Sequence, residues 1–462
     1  MKRRVLLKHA ATIPILPSAL WSMLAPARVA RAASPVPRVR PGDRAWPSAE
    51  SWDQLKRQVK GRLLKVQSPF TACTAAPEGS ACAQLFTAMK NPYFLGDQIG
   101  LTQTLGWVDA WTSQPSAWAV SAATTGDVVA AVNFARTHNL RLVVKGGGHS
   151  YQGTSNARDS LLVWTRAMNG IVIHDAFVGA GCGGSPQPAV SIGAGAIWGH
   201  VYDAVCAKAG RYVQGGGCMT VGVAGLIQSG GFGSFSKKYG MAAASLLEAE
   251  VVTADGAVRV ANACTNPELF WGLKGGGGGS LGIVTRLTLR THDLPDFFGA
   301  AFATLTAKSD AAFHRLAGEI VAFYGANLFN RQWGEQITFG TGNVLSIAMV
   351  FQGLDQQSAQ ATWRPFFDWV RASPDDFAFA SEPVIAAVPA REFFDPAFLK
   401  TVPGLVVTDD RANASPGNVF WAGDAGQVGQ ILHAYQSTWL PASLLQNAQQ
   451  TKLADALFAA SR

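Results

Sequence analysis

Four glycine clusters constrain this chain more than any other feature. They fall at residues 146–148, 215–217, 230–233 and 275–279. Glycine lets a backbone approach a ligand closely and adopt positive φ, and successive amides in such a loop form an anion-binding concavity. One cluster is an ordinary turn. Four of them within about 130 residues, each beside an expected helix or strand, favour a loop system around a large phosphorylated ligand.

The usual phosphate-binding signatures do not account for these loops. Gly277-x-Gly279-x-x-Gly282 has the letters of a dinucleotide fingerprint, but it follows a helix and precedes a strand, the reverse of the order that site requires. No GxxxxGK[ST] occurs, which removes the P-loop nucleotidases. A serine hydrolase is a remote alternative. Gly278-Gly279-Ser280-Leu281-Gly282 spells GxSxG without a preceding strand, and in Gly148-His149-Ser150-Tyr151-Gln152-Gly153 the second glycine comes one residue late. The eight histidines form no HExxH or other i, i+4 pair, so no metal site is expected.

The formal net charge of +8 invites a nucleic-acid reading, but much of it sits at the front. Residues 1–32 hold Lys2, Arg3, Arg4, Lys8, Arg28 and Arg31 and no acidic residue, so without them the charge is +2. Arg3-Arg4, a short apolar stretch from Ala10 to Ala25 and Ala30-Arg31-Ala32 follow the order of a twin-arginine export signal with a cleavage site. The apolar stretch contains Pro14 and Pro17 and falls short of the ~20 residues a membrane span needs. The expectation is export to the periplasm or medium by the twin-arginine machinery, with no permanent membrane span and no nucleic-acid partner. Cys73 and Cys82, nine apart in a Thr/Ala/Pro/Gly/Ser stretch, suit a small disulfide loop in such a protein.

Residues 33–113 read as a linker and the start of a ligand-binding domain, with a helix over 51–66 and Ser51 as its cap. Residues 114–293 read as an α+β region. Thr124-Thr125-Gly126-Asp127 opens a helix with Val128, Val129, Val132 and Ala135 on its apolar face. Arg141–Lys145, Leu161–Trp164, Val190–Ile192 and Gly282–Arg290 are strands. Ile197–Ala209 is a helix closed by Gly210, Asp255-Gly256 turns a hairpin over 251–260, and Asn266-Pro267 starts another helix with Asn at its cap. Residues 294–462, with Phe366, Phe367, Trp369, Phe393 and Phe394, read as a second domain.

Two reactive side chains end glycine clusters. His149 closes the first and Cys218 the second. An exposed loop histidine and a small buried cysteine are the ordinary fates of these residues; together in ligand-cradling loops they suggest nucleophiles aimed at one cofactor. At these residues the chain resembles the berberine-bridge-enzyme-like FAD-linked oxidases of the vanillyl-alcohol-oxidase/PCMH flavoprotein superfamily. The stretches that carry the resemblance are 145–151 (Lys145, Gly146, Gly147, Gly148, His149, Ser150, Tyr151), 215–225 (with Cys218, Thr220, Val221, Gly222 and Gly225), 229–233 (with Ser229, Gly230 and Gly233) and 269–284 (with Gly282, Ile283 and Val284). The departures are Met219 where the family usually has Pro, Ser280 where Asn is common, and Gln228-Ser229 for Ser-Gly.

The resemblance implies an α+β fold: a PCMH-type two-subdomain FAD-binding domain plus an α+β substrate domain with an antiparallel sheet. It implies that the residues just named bind FAD. It also implies a bond from the flavin 8α-methyl to His149 and a second from flavin C6 to Cys218, hence bicovalent FAD. The implied reaction is oxidation of an alcohol group on a sugar, oligosaccharide or bulky secondary metabolite, with molecular oxygen as acceptor. The family also closes over the flavin with a C-terminal segment bearing an Asn-Tyr motif. No such motif follows the helix expected over 453–462, so that cover is expected to be missing, and a catalytically impaired flavin-binding relic is the alternative. The catalytic base is not assigned by sequence; Tyr151, Tyr202 and Tyr324 are candidates by residue type alone.

Overall fold

A computed structural model describes residues 37–462, and Val39–Arg462 forms one compact unit. The basic leader over 1–32 lies outside the described residues. The fold is α+β, with three principal sheets.

The first sheet has the spatial order Leu63–Lys65, Trp118–Ser121, Ser160–Trp164, Arg141–Lys145. The last three strands are mutually parallel, and Leu63–Lys65 runs antiparallel at the edge. Leu161, Leu162 and Val163 are fully buried, as a central parallel strand covered on both faces requires. Helix Thr125–Thr137 covers this sheet, burying Val128, Ala131, Val132 and Ala135. Its start is over-determined. Thr124 and Asp127 form a reciprocal capping box, Asp127 accepts from the amides of Ala123 at 3.0 Å and Thr124 at 2.9 Å, and Arg62 Nη2 donates to both its oxygens at 2.6 and 2.7 Å.

The second sheet is antiparallel, in the order Val258–Asn262, Leu246–Val252, Ile283–Arg290, Gln187–Gly193, Ile171–Phe177. Asp255-Gly256 makes its hairpin turn, with Gly256 at φ +81°. The third sheet is also antiparallel and is built on the long strand Phe297–Ala307, which pairs with Val344–Gln352, Phe377–Phe379 and Val384–Pro389. Helices Asp310–Phe323 and Gln356–Arg371 pack on it through Phe313, Leu316, Trp363 and Phe366. Helix Asn447–Ala460 packs on Asp310–Phe323, setting Leu453 and Ala454 against Ala317 and Val321.

Several expectations need correction. The first helix is Ala49–Gln58, and its cap is Ser48, whose hydroxyl accepts from the Ser51 amide. Asn266 is the N-cap residue ahead of Pro267, as expected, but its side chain makes no capping bond; it sits at φ +48° and its Nδ2 donates to the Val260 carbonyl. The helix over 197–209 is regular only for Trp198–Tyr202 and continues as a wider π turn over Asp203–Lys208. A second disulfide, Cys182–Cys264, spans 82 residues and was not foreseen; Cys73–Cys82 is also bonded.

The largest correction concerns residues 294–462, which do not all belong to the third sheet. Phe393 and Phe394 pack on the core of the second sheet, around Phe298. The chain then returns to the N-terminal half: Trp421 Nε1 donates to the Gly217 carbonyl at 2.9 Å, Tyr93 Oη to the Val419 carbonyl at 2.7 Å, and Gln430–Leu432 pairs in parallel with Thr104–Trp107. Residues 395–432 therefore form a segment that covers part of the N-terminal half, and it contains no Asn-Tyr pair.

Asp127 yields a stability prediction. Burial opposes its ionisation, but the Ala123 amide and the Arg62 guanidinium outweigh this and hold its carboxyl below the usual range. A depressed carboxyl stabilises the fold above the unfolded value of about 3.9, and the contribution fades as pH falls through the folded value. Asp127→Ala should cost about 2 kcal/mol at neutral pH and progressively less towards pH 2, as read from urea denaturation midpoints.

Candidate functional site

The four glycine clusters do not all do the same work. Gly147 and Gly222 meet backbone to backbone: a Cβ on Gly147 would lie 2.5 Å from the Gly222 amide nitrogen, and one on Gly222 would lie 2.7 Å from the Gly147 nitrogen. Gly146 adjoins the Ala194 carbonyl, and Gly148 sits at φ +78° while its carbonyl accepts from the Gln103 amide at 3.0 Å. This contact sets loop 146–151 against loop 215–222.

The result is a cavity lined by His149, Tyr151, Cys218 and Thr220. Thr220 stands between the two side chains, its Oγ1 3.1 Å from His149 Nε2 and 3.8 Å from Cys218 Sγ. Burial drives the His149 pKa down to about 4, so its imidazole is neutral near pH 7. Burial, with the charge of Asp424 adding to it, pushes the Cys218 thiol up to about 12.

The remaining expected site residues are placed differently. Lys145 does not offer its ammonium to the cavity; Nζ donates to the carbonyls of Gln98, Ile99 and Leu101 at 3.0, 2.7 and 2.9 Å, fastening the start of the loop to the preceding segment. Ser150 builds a local turn with Thr154. The Val221 carbonyl accepts from the Trp198 amide. Gly225 lies within helix Val223–Gln228, and Ser229 and Gly230 close that helix. Gly233 abuts the Gly215 carbonyl. Gly282 leads into a strand whose Ile283 and Val284 are core residues, 5% and 3% exposed. Of the three tyrosines, only Tyr151 lines the cavity. Tyr202 is buried, donating to the Gly216 carbonyl and stacked on Phe394, and Tyr324 bonds to Lys237.

Sequence reading missed the opposite wall. Gln103 and Thr104 come from the N-terminal segment, and Phe420, Asp424, Gln427 and Gln430 from the covering segment. The glycine clusters carry no information about these residues, because they reach the cavity only through long-range pairing. Tyr435 packs against the lining residue Tyr151, its ring centroid 5.8 Å from that of Tyr151. Two buried oxygens of the lining, Gln103 Oε1 and Asp424 Oδ2, have no protein partner. A glycine cradle, orphaned polar atoms, a neutral imidazole and a thiol suit a polar heterocyclic cofactor such as FAD. Among the described residues no cluster of His, Cys, Asp and Glu could hold a metal, and no helix is long and apolar enough to cross a membrane.

Known proteins agree with this geometry. The FAD binding domain family matches residues 116–262. A VAO-type flavoprotein oxidase of Thermothelomyces thermophilus is 30% identical over 428 residues, covering 84% of this chain and 72% of that protein. The crystal structure of a VAO-type flavoprotein from Myceliophthora thermophila superposes with a TM-score of 0.72 at 24% identity, over 92% of this chain and 75% of that one. Glucooligosaccharide oxidase from Acremonium strictum, described with a 6-S-cysteinyl, 8α-N1-histidyl FAD, superposes with a TM-score of 0.54 at 19% identity, over 78% and 67%. The chain spans about half the length of several curated relatives it matches, 47% and 48% in two cases.

The backbone contact gives a paired prediction. Gly147→Ala should force the two loops apart, costing about 1–3 kcal/mol and lowering flavin content per chain. Gly225→Ala, inside helix Val223–Gln228 where an added Cβ meets nothing within 4 Å, should leave flavin content unchanged and hold or raise the thermal midpoint. Flavin absorbance per chain and thermal midpoints of the two variants decide the matter.

Proposed function

The chain belongs to the VAO-type family of FAD-linked oxidoreductases, and on that premise we propose that it oxidises an alcohol group on a sugar, oligosaccharide or bulky secondary metabolite, with FAD attached through both His149 and Cys218 and molecular oxygen as the electron acceptor. The observation that carries the reading is the convergence of a neutral imidazole and a thiol on one cavity across Thr220. Glucooligosaccharide oxidase, with its histidyl and cysteinyl FAD, supports the same reading by likeness of fold.

Bound FAD supplies the two-electron acceptor; the protein's part is to hold and orient. His149 has its lone pair free of a proton at neutral pH, as a nucleophile needs. Thr220 fixes the imidazole edge by hydrogen bond and keeps the Cys218 sulfur beside it. The glycine loops bring backbone amides close enough to meet a pyrophosphate. Tyr151 on the cavity lining and Tyr435 packed against it offer aromatic rings on which a sugar ring can pack.

Export by the twin-arginine route is part of the proposal. Two disulfides suit an oxidising compartment.

The purified protein, precipitated in acid, should give a yellow fluorescent pellet. His149→Ala should keep flavin attached through Cys218 alone, and the double variant His149→Ala/Cys218→Ala should release it all. Incubation with a panel of oligosaccharides should produce hydrogen peroxide. A bound flavin that no member of the panel reduces would mark a relic instead of an oxidase.

A further inference from the structure

The cavity holds one carboxylate, and nothing in the flavin-binding role uses it. Asp424 lies in the short 3-10 turn Ala422–Gln427 that follows strand Val419–Trp421. That turn is anchored where it matters: Trp421 Nε1 is bonded to the carbonyl of Gly217, next to Cys218. Asp424 Oδ1 accepts from Gln427 Nε2 at 3.3 Å, while Oδ2 is buried with no protein partner. No lysine or arginine lines the cavity, so no cation neutralises the carboxylate. The titratable groups that face it are the Cys218 thiol and the Tyr151 phenol, both of whose ionisation its charge opposes.

We propose that Asp424 is the catalytic base of this cavity, the group that takes the hydroxyl proton of the substrate as the carbinol hydrogen leaves with its electron pair for the flavin. The inference rests on the alcohol oxidation proposed above. The substrate O–H and C–H bonds break and a C=O bond forms; the hydroxyl proton goes to the Asp424 carboxylate, and the carbinol hydrogen, with its electron pair, would go to bound FAD. Dioxygen then accepts two electrons and two protons to become hydrogen peroxide.

The other candidates fit worse. His149 Nε2 is engaged by Thr220 and is the expected attachment point. Cys218 and Tyr151 hold their protons tightly, burial raising both. Asp424 has a free, buried lone pair. Burial also lifts its pKa above the ordinary aspartate value, against a hydrogen bond with the Cys218 thiol that lowers it, which makes it a stronger base than an exposed aspartate.

The test uses flavin-loaded protein and anaerobic stopped-flow reduction by oligosaccharide. Asp424→Asn should keep its covalent flavin but reduce it about 10²–10⁴-fold more slowly. The wild-type rate should fall as pH drops and Asp424 takes a proton; this acid limb should vanish in Asp424→Asn and return, shifted, in Asp424→Glu. An Asp424→Asn rate within threefold of wild type, or an unchanged acid limb, overturns the proposal. Infrared titration of the same holoprotein provides a readout without substrate. The wild-type minus Asp424→Asn difference should show a carboxyl band titrating above the ordinary value of about 3.9; a band at or below it overturns the assignment. If no sugar reduces the wild-type flavin while this band titrates high, the substrate reading has failed and not the placement of Asp424.

Discussion

Everything at this site depends on two stretches of backbone approaching closer than any side chain allows. Gly147 and Gly222 are in contact through their main-chain atoms, and that contact joins a loop leaving the parallel sheet to a loop leading into helix Val223–Gln228. It is a steric constraint before it is a chemical one. A methyl group added at either position would meet backbone at 2.5 or 2.7 Å, pressing apart the loops that carry His149 and Cys218. The conformational cost of ordering so many glycines is offset by anchors on either side: Lys145 on three carbonyls, and the Gly148 carbonyl on the Gln103 amide.

The chemistry follows from burial. In a lining without cations, desolvation favours the neutral form of each titratable group. It leaves His149 unprotonated, keeps Cys218 a thiol and raises Asp424. One environment therefore sets a nucleophile, a protonated thiol and an elevated carboxylate side by side. The covering segment 395–432 is what closes that environment, through Phe420 and Val428 as well as Asp424.

The legible part of this architecture was local. Glycine runs, the helix start at Thr124-Thr125-Gly126-Asp127, the Asp255-Gly256 turn and the strand Arg141–Lys145 each announce themselves within a few residues, because the physics that forms them acts within a few residues. The histidine and cysteine were conspicuous because they end such runs. What could not be read needs distant partners. Cys182 and Cys264 carry no spacing that pairs them. Gln430–Leu432 finds its strand partner over 300 residues upstream. Asp424 gains its role only once Trp421 reaches Gly217. Lys145, conspicuous beside the glycines, serves the loop's anchorage instead of the cavity. Small differences have small causes: one more polar residue upstream, Ser48, is available to cap the first helix, and the Asn266 side chain donates to the Val260 carbonyl instead of accepting from the helix amides.

The central claim is that the two loops held together by Gly147 and Gly222 grip one cofactor from both sides. Proteolysis of the purified protein followed by mass spectrometry tests it most directly. The account predicts one species in which the peptide containing His149 and the peptide containing Cys218 are joined through a single flavin. Recovery of both peptides free and unmodified would contradict it.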